Sequence, residues 1–237
     1  MKGRHRKNRL CWMAFIVVLL AIIIVAVILL PTLPDLPDCK EIATEYTPEI
    51  NEWSMVLVNP WNKLPDDFSV MLTELDNGNA VDSRIYNDLQ EMLNDARSEG
   101  LEPLICSSYR SYELQDRLFR NKVDFYLSEG YDSYNAEREA AKWVAFPGTS
   151  EHQTGLAVDI VSIHYQLLDE NQEDTPEQKW LMENSYKYGF ILRYPTDKSH
   201  ITGINYEPWH YRYVGKEVAK EIYEQGLCLE EYLEAVS

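Results

Sequence analysis

The 237-residue chain carries 39 acidic against 22 basic side chains, a formal net charge of −17. A balance that acidic repels nucleic acid and anionic lipid headgroups, so nucleic acid is not an expected partner. Its four cysteines form no Cys-x-x-Cys pair, which argues against a thiolate zinc site or a dithiol redox motif.

The first nine residues hold Lys2, Arg4, Arg6, Lys7 and Arg9 and no acid. An uncharged apolar run follows from Leu10 to Leu30. Roughly 20 apolar residues suffice to span a bilayer as one helix. A basic flank stays in the cytoplasm, which puts the remainder outside. A cleaved signal peptide would have a shorter apolar core and a small-residue cleavage site. Pro31-Thr32-Leu33-Pro34 offers no such site, so an uncleaved single-pass signal anchor is expected (residues 1–9 cytoplasmic, 10–30 in the membrane). With the five N-terminal cations set apart from the 22, the exported remainder carries 39 acids against 17 bases.

Residues 31–51 read as a stalk. Pro31, Pro34 and Pro37 within eight residues favour an extended, semi-rigid spacer. Cys39 has no lipobox before it and is not read as a lipid anchor. A single exported domain is expected over residues 52–237, long enough for one core.

Helical and strand patterns alternate along that domain. Asp82 or Ser83 can cap a helix carrying Ile85, Leu89, Met92, Leu93 and Ala96, with Gly100 as its stop. Leu104-Ile105-Cys106 reads as a short apolar strand, in which Cys106 is expected to be a buried free thiol. The alternative for that thiol is a bridge to Cys228. Ser111 can cap a helix with Leu114, Leu118 and Phe125 inward and Gly130 at its end. Another helix is expected over Ala136–Ala145, broken by Pro147-Gly148. Thr175-Pro176 starts a helix through Trp180 and Leu181, since proline suits the first helical position. Gly189 precedes a strand at Phe190-Ile191-Leu192, and Val214–Gln225 forms a helix closed by Gly226. Mixed elements of this kind give an α+β domain.

The chemistry lies in two short stretches, Ser150-Glu151-His152-Gln153-Thr154-Gly155-Leu156-Ala157-Val158-Asp159 and Glu207-Pro208-Trp209-His210. Two imidazoles and one carboxylate can hold a zinc ion and leave its fourth position to water, the ligand count of a catalytic site. His152 and Asp159 are seven residues apart and would face opposite ways on one strand. Gly155 permits a turn between them, after which Leu156–Val161 reads as a strand. Glu207 lies three residues before His210, close enough to act on the water. Pro208 biases Glu207 away from helical backbone. The spacing leaves open whether this stretch is extended or the edge of a helix. Trp209 reads as packing. His164 and His200 read as surface or packing residues, with His200 the one alternative to His210 as a ligand.

These motifs together resemble the signatures of the zinc D-Ala-D-Ala carboxypeptidases of the VanY type. The resemblance extends to Ser107-Ser108-Tyr109-Arg110-Ser111 with Gln115. It includes Tyr188-Gly189-Phe190-Ile191-Leu192-Arg193-Tyr194-Pro195 and Trp209-His210-Tyr211-Arg212-Tyr213-Val214-Gly215. It runs in order from about Val58 to Tyr232 and leaves out the anchor. It implies a small antiparallel sheet flanked by helices, one zinc ion on His152, Asp159 and His210, and Glu207 as catalytic acid/base. It implies that Arg110 grips the substrate's terminal carboxylate, with Ser150 and Gln115 touching the peptide nearby. The substrate it implies is the peptidoglycan stem peptide, losing its terminal D-alanine.

A serine DD-peptidase needs Ser-x-x-Lys and Lys-Thr-Gly elements, which the chain lacks. An LD-carboxypeptidase acting on tetrapeptide stems would use the same residues. A non-catalytic wall-binding module would have lost a ligand or Glu207, and all four residues are present.

Overall fold

A computed structural model describes residues 44–45, 53–65 and 67–237. The basic segment, the apolar run 10–30, Cys39 and all of the stalk but Thr44–Glu45 lie outside the described residues. Among the described residues, no helix is long and apolar enough to cross a membrane.

Strands β1 (Thr44–Glu45) and β2 (Asn62–Lys63) pair in parallel, and β3 (Leu72–Glu74) and β4 (Ala80–Asp82) form an antiparallel hairpin. Strands β5 (Pro103–Ser107), β6 (Ala157–Ser162), β7 (Phe190–Leu192) and β8 (His210–Tyr213) make one four-stranded sheet in the order β5-β6-β8-β7. All three of its pairings are antiparallel. The helices are α1 (Tyr86–Ser98), α2 (Tyr112–Ser128), α3 (Ser133–Ala141), α4 (Pro176–Asn184), α5 (Ser199–Thr202), α6 (Lys216–Gln225) and α7 (Leu229–Val236). This is the expected α+β arrangement of small antiparallel sheets flanked by helices.

Strand alternation gives the main sheet two characters. Ile105, Val158, Ile160, Phe190, Tyr211 and Tyr213 belong to one buried cluster with Leu89, Met92 and Leu93 of α1 and Trp180 and Leu181 of α4. The residues that alternate with them, Asp159, His210 and Arg212, are buried but polar, and they build the site. A second cluster joins Met55 and Ile191 to Val214, Ala219, Ile222, Leu229 and Leu233, so α6 and α7 close the β7 side.

Several element ends differ from the sequence pattern, each for a local reason. Helix α1 begins after Ile85, not at Asp82 or Ser83. The Asp82 carboxylate accepts from the backbone N–H and guanidinium of Arg84, and the Ser83 hydroxyl donates to Met71 O. Helix α3 stops at Ala141. The chain tightens there, with Trp143 N and Val144 N both donating to Ala140 O, and the next carbonyls turn to other partners: Lys142 O accepts from Asn205 N and Ala145 O from the Gln115 amide. Helix α6 starts at Lys216 because Gly215, with φ 89° and ψ 152°, is not helical, and Val214 N still donates to Gly189 O beside the sheet. Ser111 caps α2 as expected, accepting from Leu114 N. The inward face of α2 is shifted, however: Gln115 and Phe119 are buried, whereas Leu118 is half-buried and Phe125 exposed.

Cys106 and Cys228 are both free, and Cys106 is exposed rather than buried. The register between β5 and β6 slips around it, with Ile105 opposite Ile160 but Ser107 opposite Asp159. Such a bulge leaves one residue unpaired and re-aims the strand.

Candidate metal centre and its cleft

Each of the three expected metal ligands reaches the centre by a different local route. His152 sits in a 3-10 turn, Glu151–Thr154, that ends on Gly155 with φ +76°. A Cβ at Gly155 would meet Asp82 N at 3.0 Å and Val70 Cγ2 at 3.2 Å, so glycine is required by both backbone and space. Asp159 is the third residue of β6, and His210 is the first of β8. The two are register partners in the antiparallel ladder. Glu207 precedes β8 in a turn that closes through His210 N donating to Glu207 O. The stretch left open by spacing is therefore a turn into a strand.

The Nε2 atom of His152 lies 3.3 Å from Asp159 Oδ2, and His210 Nδ1 lies 3.0 Å from Asp159 Oδ1. One ligand atom from each of His152, Asp159 and His210 lies within 4.8 Å of the other two, and all three residues are buried. Their nitrogen and oxygen donors suit zinc, and hydrogen bonds fix which imidazole nitrogen is offered. His152 donates from Nδ1 to Ser108 O at 2.8 Å, leaving Nε2 for the centre. Both ring nitrogens of His210 meet carboxylates, Nε2 with Glu151 Oε2 at 3.3 Å and Nδ1 with Asp159 Oδ1 at 3.0 Å, and Nδ1 is the one that faces the cluster. His164 and His200 are exposed and lie outside the cluster.

Glu207 Oε2 stands 3.8 Å from His210 Nδ1. Burial pushes the Glu207 carboxyl up to about 8, with His210 pulling the other way. A carboxyl tuned near neutrality can take up and return a proton. Burial, together with the Arg110 charge, pushes His152 down to about 4 despite the pull of Asp159, so its ring is neutral at neutral pH. Burial alone would raise Asp159, but His152, His210 and Arg110 hold it well below the usual carboxylate range.

Arg110 donates from Nε to Ser107 Oγ at 2.9 Å, from one terminal nitrogen to Gln115 Oε1 at 3.3 Å and from the other to Asp159 Oδ2 at 2.8 Å. A guanidinium has five N–H donors, so two remain to face the cleft. Gln115 is fully buried and its amide also donates to Ala145 O at 2.7 Å. One donor and one acceptor of its carboxamide are thus engaged inside the protein, where it helps orient Arg110. Ser150 lines the cleft. The cleft has a volume of about 440 Å³ and takes in Arg110, Glu207 and the three ligand-type residues. Trp209 is buried, as a packing residue should be, and its indole also forms part of the cleft wall.

Sequence reasoning missed the brace behind this centre. Glu151 is fully buried, with Oε1 accepting from Arg193 Nε and from Arg212 at 2.7 Å each. Arg193 also donates to both oxygens of Glu230 on α7, at 2.7 and 2.8 Å, and Glu230 accepts from Asn59. Arg212 donates to Ser54 O and Val56 O. The signal was present in the sequence: Arg193 and Arg212 interrupt runs of aromatic and apolar residues, where an unpaired guanidinium could not be buried.

Known proteins are similar to this chain in sequence and fold. A family model described as VanY, D-alanyl-D-alanine carboxypeptidase, matches residues 78–216. A D-alanyl-D-alanine carboxypeptidase of Enterococcus faecalis is 50% identical over 184 residues, 77% of this chain and 66% of that protein. The chain thus spans just under two thirds of the length of that relative. Two solved structures are similar over 77% of this chain. One is the vancomycin-resistance D,D-pentapeptidase VanY, as a variant in complex with Zn(II), at 49% identity and a TM-score of 0.71 over 99% of its length. The other is VanYB in complex with D-alanine-D-alanine, at 50% identity and a TM-score of 0.72 over 98%.

Proposed function

This chain belongs to the VanY family of D-alanyl-D-alanine carboxypeptidases, and from that premise we propose that it is a zinc-dependent carboxypeptidase that removes the C-terminal D-alanine from peptidoglycan stem peptides. The observation that carries this reading is the convergence of His152, Asp159 and His210 in one buried cluster, with Glu207 beside it at the wall of an open cleft. The solved relatives hold Zn(II) and D-alanine-D-alanine, which supports the same metal and the same peptide end here.

In this reading His152 Nε2, Asp159 and His210 Nδ1 hold the metal. Zinc, when bound, supplies a Lewis acid that polarises a carbonyl oxygen and lowers the pKa of a water. Glu207 accepts the proton of the attacking water and returns it to the departing D-alanine amine. Burial works to raise its pKa toward the working pH, where a proton carrier is most effective. Arg110, held by Ser107, Gln115 and Asp159, aims its two remaining N–H donors at the substrate and favours a free terminal carboxylate. Buried Tyr194, whose ring centroid is 4.7 Å from that of His210, packs the metal-ligating imidazole in place.

The N-terminal run supports an anchoring role: the basic flank and the uncharged stretch Leu10–Leu30 fit a single-pass signal anchor with the catalytic domain outside the bacterial cell membrane. Protease accessibility of the domain on intact cells tests that topology; protection of the domain would overturn it.

The activity is tested on the zinc-loaded full-length chain with a pentapeptide stem ending in D-Ala-D-Ala. Mass spectrometry should show loss of one alanine residue, abolished by a chelator and restored by zinc. A tetrapeptide stem in parallel reads LD activity. Turnover of the tetrapeptide alone would replace the DD assignment, and release of no alanine from either would overturn the function.

A further inference from the structure

Helix α2 was expected to bury Leu118 and Phe125, and it does not: both line the cleft, with Asn121 and Lys122 between them. Gln115, Leu118, Lys122 and Phe125 are spaced three, four and three residues apart, which puts them on one helical face. That face starts at the Gln115–Arg110 hydrogen bond and runs away from it along the cleft. Lys122 lies seven residues beyond Gln115, about 10 Å along the axis at 1.5 Å per residue.

The Lys122 ammonium is held among three rings, 5.3 Å from the centroid of Phe125 and 5.6 Å from those of Tyr126 and Trp143. Cation–π contacts of this kind position an ammonium without neutralising it. No carboxylate pairs with it among the described residues. Of the acids nearer the metal centre, Glu151 pairs with Arg193 and Arg212, Asp159 with Arg110, and Glu207 stands beside His210. An unneutralised cation is thus built into the cleft wall of a strongly acidic chain.

A carboxypeptidase places only one substrate residue on the leaving side of the scissile bond. With the chain end at Arg110, every wall beyond that residue's pocket faces the retained peptide. About 10 Å is the length of roughly three extended residues at 3.3–3.6 Å each. We propose that Lys122 is a specificity determinant that binds a side-chain or branch carboxylate on the third or fourth residue from the peptide's C-terminus. This rests on the carboxypeptidase reading above. The cleft thereby selects an acidic stem over one in which that carboxylate is amidated.

The test uses two synthetic pentapeptides ending in D-Ala-D-Ala that differ only in a carboxylate or carboxamide at the third or fourth position from the end, each position made separately. The zinc-loaded full-length chain should favour the carboxylate of at least one pair by about twofold to fivefold in kcat/KM, the range of a partly exposed ion pair. That ratio should shrink as salt is raised. Lys122→Met keeps the packing against the rings and should bring the ratio close to one, while Lys122→Arg should keep it. Affinities of the same peptides for Glu207→Gln and for Glu207→Gln with Lys122→Met, read by calorimetry, give the ratio without turnover. Absence of hydrolysis would therefore overturn the carboxypeptidase reading and still leave the Lys122 assignment open to judgement. Equal loss on both members of a pair in Lys122→Met would make the residue structural. Loss of preference for a free over an amidated C-terminus would give it the terminal carboxylate instead. Either result overturns the proposal.

Discussion

Asp159 and His210 face each other as register partners on neighbouring antiparallel strands, with Asp159 Oδ1 3.0 Å from His210 Nδ1. Two of the three ligand-type residues are thus spaced by the ladder itself, in which opposed Cβ atoms sit about 4.5–5.5 Å apart. Only His152 depends on a loop, and that loop is fixed by Gly155. The geometry of the centre is as rigid as the pairing of β6 with β8.

Glu207 is the residue whose loss should separate binding from chemistry. Glu207→Gln keeps the shape of the site and removes the proton acceptor. Zinc stoichiometry should remain at one per chain while D-alanine release falls by about 10²–10⁴-fold, the usual worth of acid/base help. Activity near wild type would exclude Glu207 as the base.

Arg110 offers two free donors to the cleft. Arg110→Ala should lower kcat/KM on a free-ended peptide by about 10- to 100-fold, since a charge-assisted hydrogen bond contributes roughly 1.5–3 kcal/mol. The wild-type preference for that peptide over its C-terminal amide should shrink in parallel. Equal turnover of amide and acid by the wild type would rule this role out.

Glu151 touches no substrate in this reading and acts through His210. Removing a carboxylate that orients a ligating imidazole typically costs 10- to 100-fold in metal affinity. Glu151→Gln should therefore lose zinc to a competing chelator at lower chelator concentrations. The nitrogen shifts of His210 in the metal-loaded wild type should report a proton on Nε2, and a proton on Nδ1 would contradict the assignment. A melting curve separates this effect from simple unfolding.

Glu230 makes stability sensitive to acid. Burial alone would raise its pKa, but the Arg193 charge and hydrogen bonds and the Asn59 amide hold it below the usual glutamate value. A carboxyl depressed in the folded state stabilises the fold above its unfolded pKa of about 4.3, and that contribution is lost as pH falls through the folded value. Glu230→Gln should thus lower the melting temperature at pH 7 and lessen its decline between pH 5 and the acid limit. Parallel curves for wild type and variant across that range would show that Glu230 does not carry the effect.

Much of the site was legible because ligand chemistry is local. His152, Asp159, His210 and Glu207 stand out as metal-type residues beside Gly155 and Pro208, but it is the resemblance to the VanY signatures, not their spacing alone, that ties them into one site; the helix caps at Ser111 and Thr175 follow from single residues. What stayed hidden depends on partners far along the chain. Glu151 meets Arg193 and Arg212 across 42 and 61 residues, and spacing carries no trace of that. The outward turn of Cys106 needed the register of β5 against β6, not the apolar run around it. Phe125 reads as core by helical period, but the surface it covers is the cleft.

The tie from Glu230 through Arg193 and Glu151 to His210 orders events in time. All four protein groups around the metal are synthesised before residue 229. A chain halted there would hold every proposed ligand and would still pair Glu151 with Arg212, but it would lack the Glu230 carboxylate that anchors Arg193. In the proposed reading the hold on the ion is therefore coupled to the seating of α7, which reaches His210 only through this relay of ion pairs.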